Sequence, residues 1–174
     1  MIVMVYGGSG SGKSKYAEEY IQKLEPNKKY YVATMQVYSQ EGKERVKKHR
    51  LQREGKGFET IEQTQNIAQL DLKNESVLIE CMSNLVANEM FQETMIDKET
   101  VIHKMISDLD SLLPTLKHAV IVTNNIFEDG IEYDKDTLDY MYALSKINQY
   151  IARISDEVVE VVVGIPLLLK GGRE

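Results

Sequence analysis

Two stretches of this chain combine residue types and spacing that could do chemistry. The first is "GGSGSGKS", which fits G-x-x-x-x-G-K-[ST] in full. Glycines let backbone N–H groups turn inward around phosphate oxygens. A helix that starts there aims its positive end at the anion. On this reading Gly7, Gly8, Ser9, Gly10, Ser11 and Gly12 wrap the phosphates of a nucleotide. Lys13 then reaches the β- and γ-phosphates and Ser14 holds Mg2+. A Gly/Ser-rich turn could also be a plain connector. The strand-like "IVMVY" before it and the helical pattern after it are the context a phosphate loop requires.

The second stretch is "KERVKKHRLQR", residues 43–53, which gathers six of the 21 lysines and arginines around His49. Residues 43–56 hold seven cations and two anions, in a chain of net charge −6. Residues 41–54 read as a helix with only Val46 and Leu51 apolar. On such a helix Arg45, His49 and Arg53 line one side. Charge alone favours a solvated face with an incidental histidine. Two points favour chemistry instead. The cations are concentrated in a chain that already has a site for a polyanion. A histidine among cations also has its charged form disfavoured, so it stays neutral near pH 7. A neutral imidazole is a nucleophile, and neighbouring arginines can neutralise charge that develops on a phosphate.

A third residue follows from position. "VLIE" puts Glu80 at the carboxyl end of an apolar strand, where open α/β sheets face their ligands. An acid there can hold Mg2+ together with Ser14, partly through water. The alternative is a strand-end carboxylate that caps the next helix, but Ser83 offers that helix a better cap.

The elements that must position these residues alternate. Strands are expected at 2–6, 30–34, 76–80, 119–123 and 157–163, with 166–170 as a possible last edge strand. Helices are expected at 13–24, 41–54, 64–71, 83–92, 97–113 and 135–154. Near-continuous apolar strands imply burial on both faces, hence a mostly parallel sheet. The expected fold is therefore α/β of the P-loop type, with helices on both faces of the sheet, in one domain spanning residues 1–174.

Gross composition narrows the function. A pI near 5.2 argues against a general nucleic-acid or membrane-surface binder. The apolar runs are strand-sized, so no membrane span is expected. The first of them lacks a basic n-region, so no signal peptide is expected. The single Cys81 has no disulfide partner in the chain and fits a reducing cytoplasm. His103 and His118 lack ligand spacing and read as structural or surface residues. The eight methionines read as core filler. Tyr133, Tyr140, Tyr142 and Tyr150 read as packing or a subunit contact.

These stretches, in this order, resemble the bifunctional adenosylcobinamide kinase / adenosylcobinamide-phosphate guanylyltransferase family of cobalamin biosynthesis. The resemblance runs through "GGSGSGKSKYAE", "YVAT", "RVKKHRLQR", "FETIE", "VLIEC", "VTNN", "NQYIA", "DEV" and "GIPLLLK". It implies that His49 takes up GMP from GTP and that Arg50, Leu51, Gln52 and Arg53 contact the nucleotide. It adds Glu62, Glu80, Thr34 and Met35 to the nucleotide site. Asn148 and Gln149 also match the family and read equally as site or helix-surface residues. The resemblance further implies a corrinoid substrate, GTP or ATP with Mg2+, and a homotrimer. There are departures. Phe58 stands where the family has tryptophan. "NNIFEDGIEYD" has Asn125 in place of a carboxylate and Phe127 in place of a glycine. A P-loop enzyme that keeps only one of the two activities, and a GTP-binding switch, are the alternative readings. The switch reading lacks the guanine-reading N-K-x-D motif.

Overall fold

A computed structural model describes residues 1–36, 51, 53–128 and 130–172. The remaining residues, which include His49, Arg50, Gln52 and most of the helix expected at 41–54, lie outside the described residues.

The described chain forms a seven-stranded sheet. Its strands are β1 (Ile2–Gly7), β2 (Lys29–Ala33), β3 (Phe58–Glu62), β4 (Ser76–Glu80), β5 (His118–Asn124), β6 (Glu157–Val162) and β7 (Ile165–Lys170). Their order is β3-β2-β4-β5-β1-β6-β7. All neighbours are parallel except β6 and β7, which form an antiparallel hairpin. Four described helices accompany them: α1 (Lys13–Leu24), α2 (Met82–Met90), α3 (Lys98–Leu112) and α4 (Lys135–Ile154).

Alternation along each strand decides which helix it meets. Val3 and Val5 of β1, Leu78 of β4, and Val120 and Val122 of β5 pack with Ala17 and Ile21 of α1. Their neighbours Met4, Val77, Ile79 and Ile121 point to the other face, into the core shared with α2, α3 and α4. The central strands are thus buried on both faces, as their continuous apolar runs require. Caps fix two helix starts. Asp97 accepts from the N–H groups of Glu99 and Thr100, each at 3.1 Å, and Asp134 accepts from Thr137 N–H at 2.8 Å.

Two elements differ from expectation. No strand is expected at 58–62, yet β3 forms there as the sheet edge. Its pattern is polar and only partly buried, so it lacks the apolar run that marks the other strands. The helix expected at 64–71 is only a 3-10 turn, Ile67–Gln69. Side chains compete with the helix for the backbone. Gln63 donates to Gln65 O at 2.5 Å, Asn88 donates to Thr64 O at 2.9 Å, and Glu89 accepts from Asn66 N–H at 2.7 Å. Asn66 also sits at φ 52°, in the left-handed region.

Leu109 of α3 is fully buried in the larger core. Leu109→Ala is expected to lower the free energy of unfolding by about 2–5 kcal/mol, read as a lower urea midpoint with unchanged slope.

Candidate active site

The turn from β1 into α1 is shaped by close approach. A Cβ on Gly7 would lie 2.7 Å from both Ser11 Oγ and the Val161 carbonyl, so only glycine fits. Gly12, the residue before α1, has φ 92°, which glycine adopts without strain. The turn of the β6–β7 hairpin rests on the loop, with Gly164 N–H donating to Ser11 O at 2.8 Å. The first turn of α1 carries no acidic residue, so its N–H groups and dipole remain available to an anion.

Lys13 is buried, at 8% exposure, and its ammonium donates to Gly8 O at 3.0 Å. Burial pulls its pKa below the ordinary lysine value, and the neighbouring Cys81 and Glu80 oppose that shift. Ser14 Oγ donates to Glu80 Oε1. Glu80 Oε2 is buried with no hydrogen-bond partner among the described residues. The pair fits Mg2+, which favours oxygen donors and is held by one or two carboxylates plus substrate phosphates. Among the described residues no cluster of three or more His, Cys, Asp or Glu could hold a metal by itself.

A layer of polar side chains fixes the end of β4. Thr34, fully buried, donates its N–H to Glu80 O at 3.1 Å and its hydroxyl to Cys81 O at 2.8 Å. Asn88 Nδ2 donates to Thr34 O at 2.7 Å. Cys81 Sγ and Ser83 Oγ lie 3.0 Å apart, and Asn124 Nδ2 donates to Ser83 Oγ at 2.5 Å. Tyr140 donates to Ser83 O at 3.1 Å, and burial raises its pKa to about 12. Ser83 is therefore not the cap of α2. It lies inside that helix, whose N-cap is Cys81, with no side-chain cap bond. Glu80 does not cap α2 either, because its carboxylate faces Ser14.

The remaining expected residues are spread more widely. Glu62 ends β3 in register with Ala33, which is also in register with Glu80. Two strand spacings, roughly 10 Å, therefore separate the backbones of the two acids, and the pleat puts both on the α1 face. Met35 follows Thr34 and is half-buried. Leu51 is exposed. Arg53 is buried against α1, with its guanidinium 3.5 Å over the Tyr31 ring and 3.6 Å from Glu18 Oε1. The Tyr31 pKa is raised by burial and then by the Glu80 carboxylate beside it. Asn148 is buried and accepts from the Thr123 hydroxyl at 2.7 Å. Gln149 lies on the surface of α4. Lys13, Ser14 and Glu80 thus converge, Thr34 supports them from behind, and Arg53 joins them only through Tyr31.

Sequence reasoning missed Asn88, Asn124, Glu18 and Tyr31. Each acts through a contact distant in sequence, and no local signal marks it. The "VTNN" segment that contains Asn124 is the one pointer the chain offered.

A parallel sheet whose first strand feeds this turn, with a carboxylate set against the turn's serine, defines the α/β P-loop nucleotide-binding class. The sequence profile of the family described as cobinamide kinase / cobinamide phosphate guanyltransferase matches residues 3–169. The chain belongs to that family of bifunctional kinase and guanylyltransferase enzymes. It is 28% identical over 184 residues to the bifunctional adenosylcobalamin biosynthesis protein CobU of Escherichia coli (strain K12), covering 98% of this chain and 100% of that protein. The protein of the same name from Salmonella typhimurium is 25% identical over 183 residues, with the same coverage. Among solved structures, the flagellar accessory protein FlaH from Methanocaldococcus jannaschii aligns with a TM-score of 0.47 and 12% identity, over 98% of this chain and 78% of that one. No described helix is long and apolar enough to cross a membrane.

Glu80→Gln keeps the shape of the site and removes its charge. It is expected to weaken Mg2+-dependent GTP binding about 10–100-fold and to leave the binding measured in EDTA nearly unchanged, by titration calorimetry.

Proposed function

We propose that this enzyme phosphorylates adenosylcobinamide with ATP or GTP, then transfers GMP from GTP to the product through a guanylylated His49. The observation that carries this reading is the convergence of Lys13, Ser14 and Glu80 on the phosphate loop in a chain of this family.

In the kinase step the aminopropanol hydroxyl oxygen attacks the γ-phosphorus. The bond to the β,γ-bridging oxygen breaks, the nucleoside diphosphate leaves, and the hydroxyl proton is lost. Little covalent chemistry falls to the protein, so positioning and charge dominate. Backbone N–H groups of residues 8–14 grip the phosphates, and Lys13 meets the charge on the β,γ end. Ser14 and Glu80 would hold Mg2+, which would supply positive charge to offset that of the phosphates.

In the transferase step a ring nitrogen of His49 attacks the α-phosphorus of GTP and pyrophosphate leaves. A phosphate oxygen of the cobinamide phosphate then attacks the phosphoramidate, frees the imidazole and gives adenosylcobinamide-GDP. One hard displacement becomes two easier ones. Arg50 and Arg53 supply cationic charge near that transfer, and Glu62 with Met35 borders the nucleotide.

The working unit in this reading is a cytoplasmic homotrimer. The β6–β7 hairpin supports assembly. Ile165, Leu167, Leu168 and Leu169 are 45–59% exposed on an edge strand, which is an apolar surface that soluble chains usually cover.

Two tests follow. With α-labelled GTP, the wild-type protein should gain acid-labile, base-stable label, and His49→Ala should gain none while still phosphorylating adenosylcobinamide with ATP. Label retained in His49→Ala sinks the covalent step as written. Leu168→Glu should shift the mass measured by light scattering from that of three chains towards one. A wild-type monomer would refute the assembly.

A further inference from the structure

A cavity of about 490 Å³ opens beside the phosphate loop, at the carboxyl ends of β1 and β5. We propose that it seats the uncharged hydroxyl arm of the corrinoid acceptor, and that Glu128 makes it select the alcohol over its phosphate. The inference rests on the kinase half of the proposed function and names its acceptor subsite.

Position comes first. Gly8 lines the cavity, and the Gly8 carbonyl accepts from Lys13. A molecule in the cavity therefore faces the turn that would hold the γ-phosphate. The walls are fixed to that turn. Asn125 N–H donates to Gly7 O at 2.9 Å, Phe127 N–H to Asn125 Oδ1 at 3.3 Å, and the Tyr140 hydroxyl to Ser83 O.

Chemistry comes second. Ile126, Met141 and the rings of Tyr133 and Tyr140 supply apolar wall. Among the described residues, Glu128 is the one charged side chain in the lining. Residues 118–134 contain no lysine or arginine. Tyr6 of β1 has its pKa raised by burial and then by Glu128 and Glu160. An aliphatic alcohol arm fits such a lining. A phosphate dianion meets the Glu128 carboxylate with no cationic side chain in the described lining, and like-charge proximity is penalised.

The described cations of the 43–56 stretch lie elsewhere. Arg53 and Lys56 pair with Glu18 of α1, on the opposite face of the sheet. The phosphorylated acceptor is therefore disfavoured in the cavity that made it.

The test is steady-state phosphorylation of adenosylcobinamide by ATP, with adenosylcobinamide phosphate as product inhibitor. Glu128 is exposed, so substituting it leaves the core intact. Glu128→Gln is expected to lower the product's inhibition constant roughly tenfold and Glu128→Lys to lower it further, with the KM for ATP unmoved. Met141→Trp, which fills the cavity, is expected to raise the KM for the alcohol several-fold. Unchanged product inhibition in both Glu128 variants overturns the charge selection. An unchanged alcohol KM in Met141→Trp overturns the subsite. If wild-type protein fails to phosphorylate adenosylcobinamide at all, the kinase reading falls together with this inference. Normal wild-type turnover with unresponsive variants removes this inference alone.

Discussion

The hydrogen bond between Ser14 and Glu80 is the contact on which the rest of the site depends. Ser14 belongs to the first turn of α1, and Glu80 ends a strand two places away across the sheet. They meet only because β1, β5 and β4 run parallel and end on one side of the sheet, with Glu80 level with Val122 and Val5. A one-residue slip of β4 would turn Glu80 to the opposite face and Ile79 towards the loop. The apolar side chains that fix this register, Val77 and Ile79 on one face and Leu78 on the other, therefore also aim the carboxylate. Packing and chemistry share one constraint.

That constraint is reinforced by polar groups rather than by further apolar area. Thr34 ties β2 to the last peptides of β4, and Asn88 of α2 ties Thr34 in turn. Their partners are backbone carbonyls, so the network positions the chain without adding charge near Lys13. This matters for a buried ammonium. Burial already disfavours its charged form, and the compensating carboxylate has to be close. Arg53 stacks on Tyr31, which in turn lies near Glu80, so the end of the basic segment reaches the acid through one aromatic ring.

Much of the frame was legible in the chain. Strands buried on both faces announce themselves as apolar runs, and α1 and α4 begin and end where the helical pattern places them. The phosphate loop was readable because its glycines answer a steric demand that no other residue meets. What was not legible obeys a different rule. β3 is an edge strand, so its side chains need not be apolar. The 64–71 segment has a helical pattern, but its backbone is captured by Gln63, Asn88 and Glu89, and two of those lie more than twenty residues away. Ser83 reads as a cap until Asn124, from another strand, takes its hydroxyl. Local pattern foretells elements, whereas side-chain-to-backbone bonds across the fold depend on tertiary proximity that pattern does not encode.

Two reactions on one phosphate grip pose a geometric problem. Under the proposed function the kinase step breaks a bond at the γ-phosphorus and the transferase step breaks one at the α-phosphorus. A turn that holds the β,γ end through Lys13, Ser14 and Glu80 can serve both, because the leaving pyrophosphate of the second step occupies the place of the β,γ end in the first. The attacking groups cannot share a position. In-line attack needs each nucleophile opposite its own leaving oxygen, and these point in different directions along the triphosphate. The fold offers two faces at the loop. The α4 side carries a cavity walled by Tyr133, Tyr140 and Glu128, suited to an uncharged alcohol. The α1 side carries Arg53 and Lys56 paired with Glu18. Under that reading, the two faces bring the two attacking groups to different phosphorus atoms of one held nucleotide.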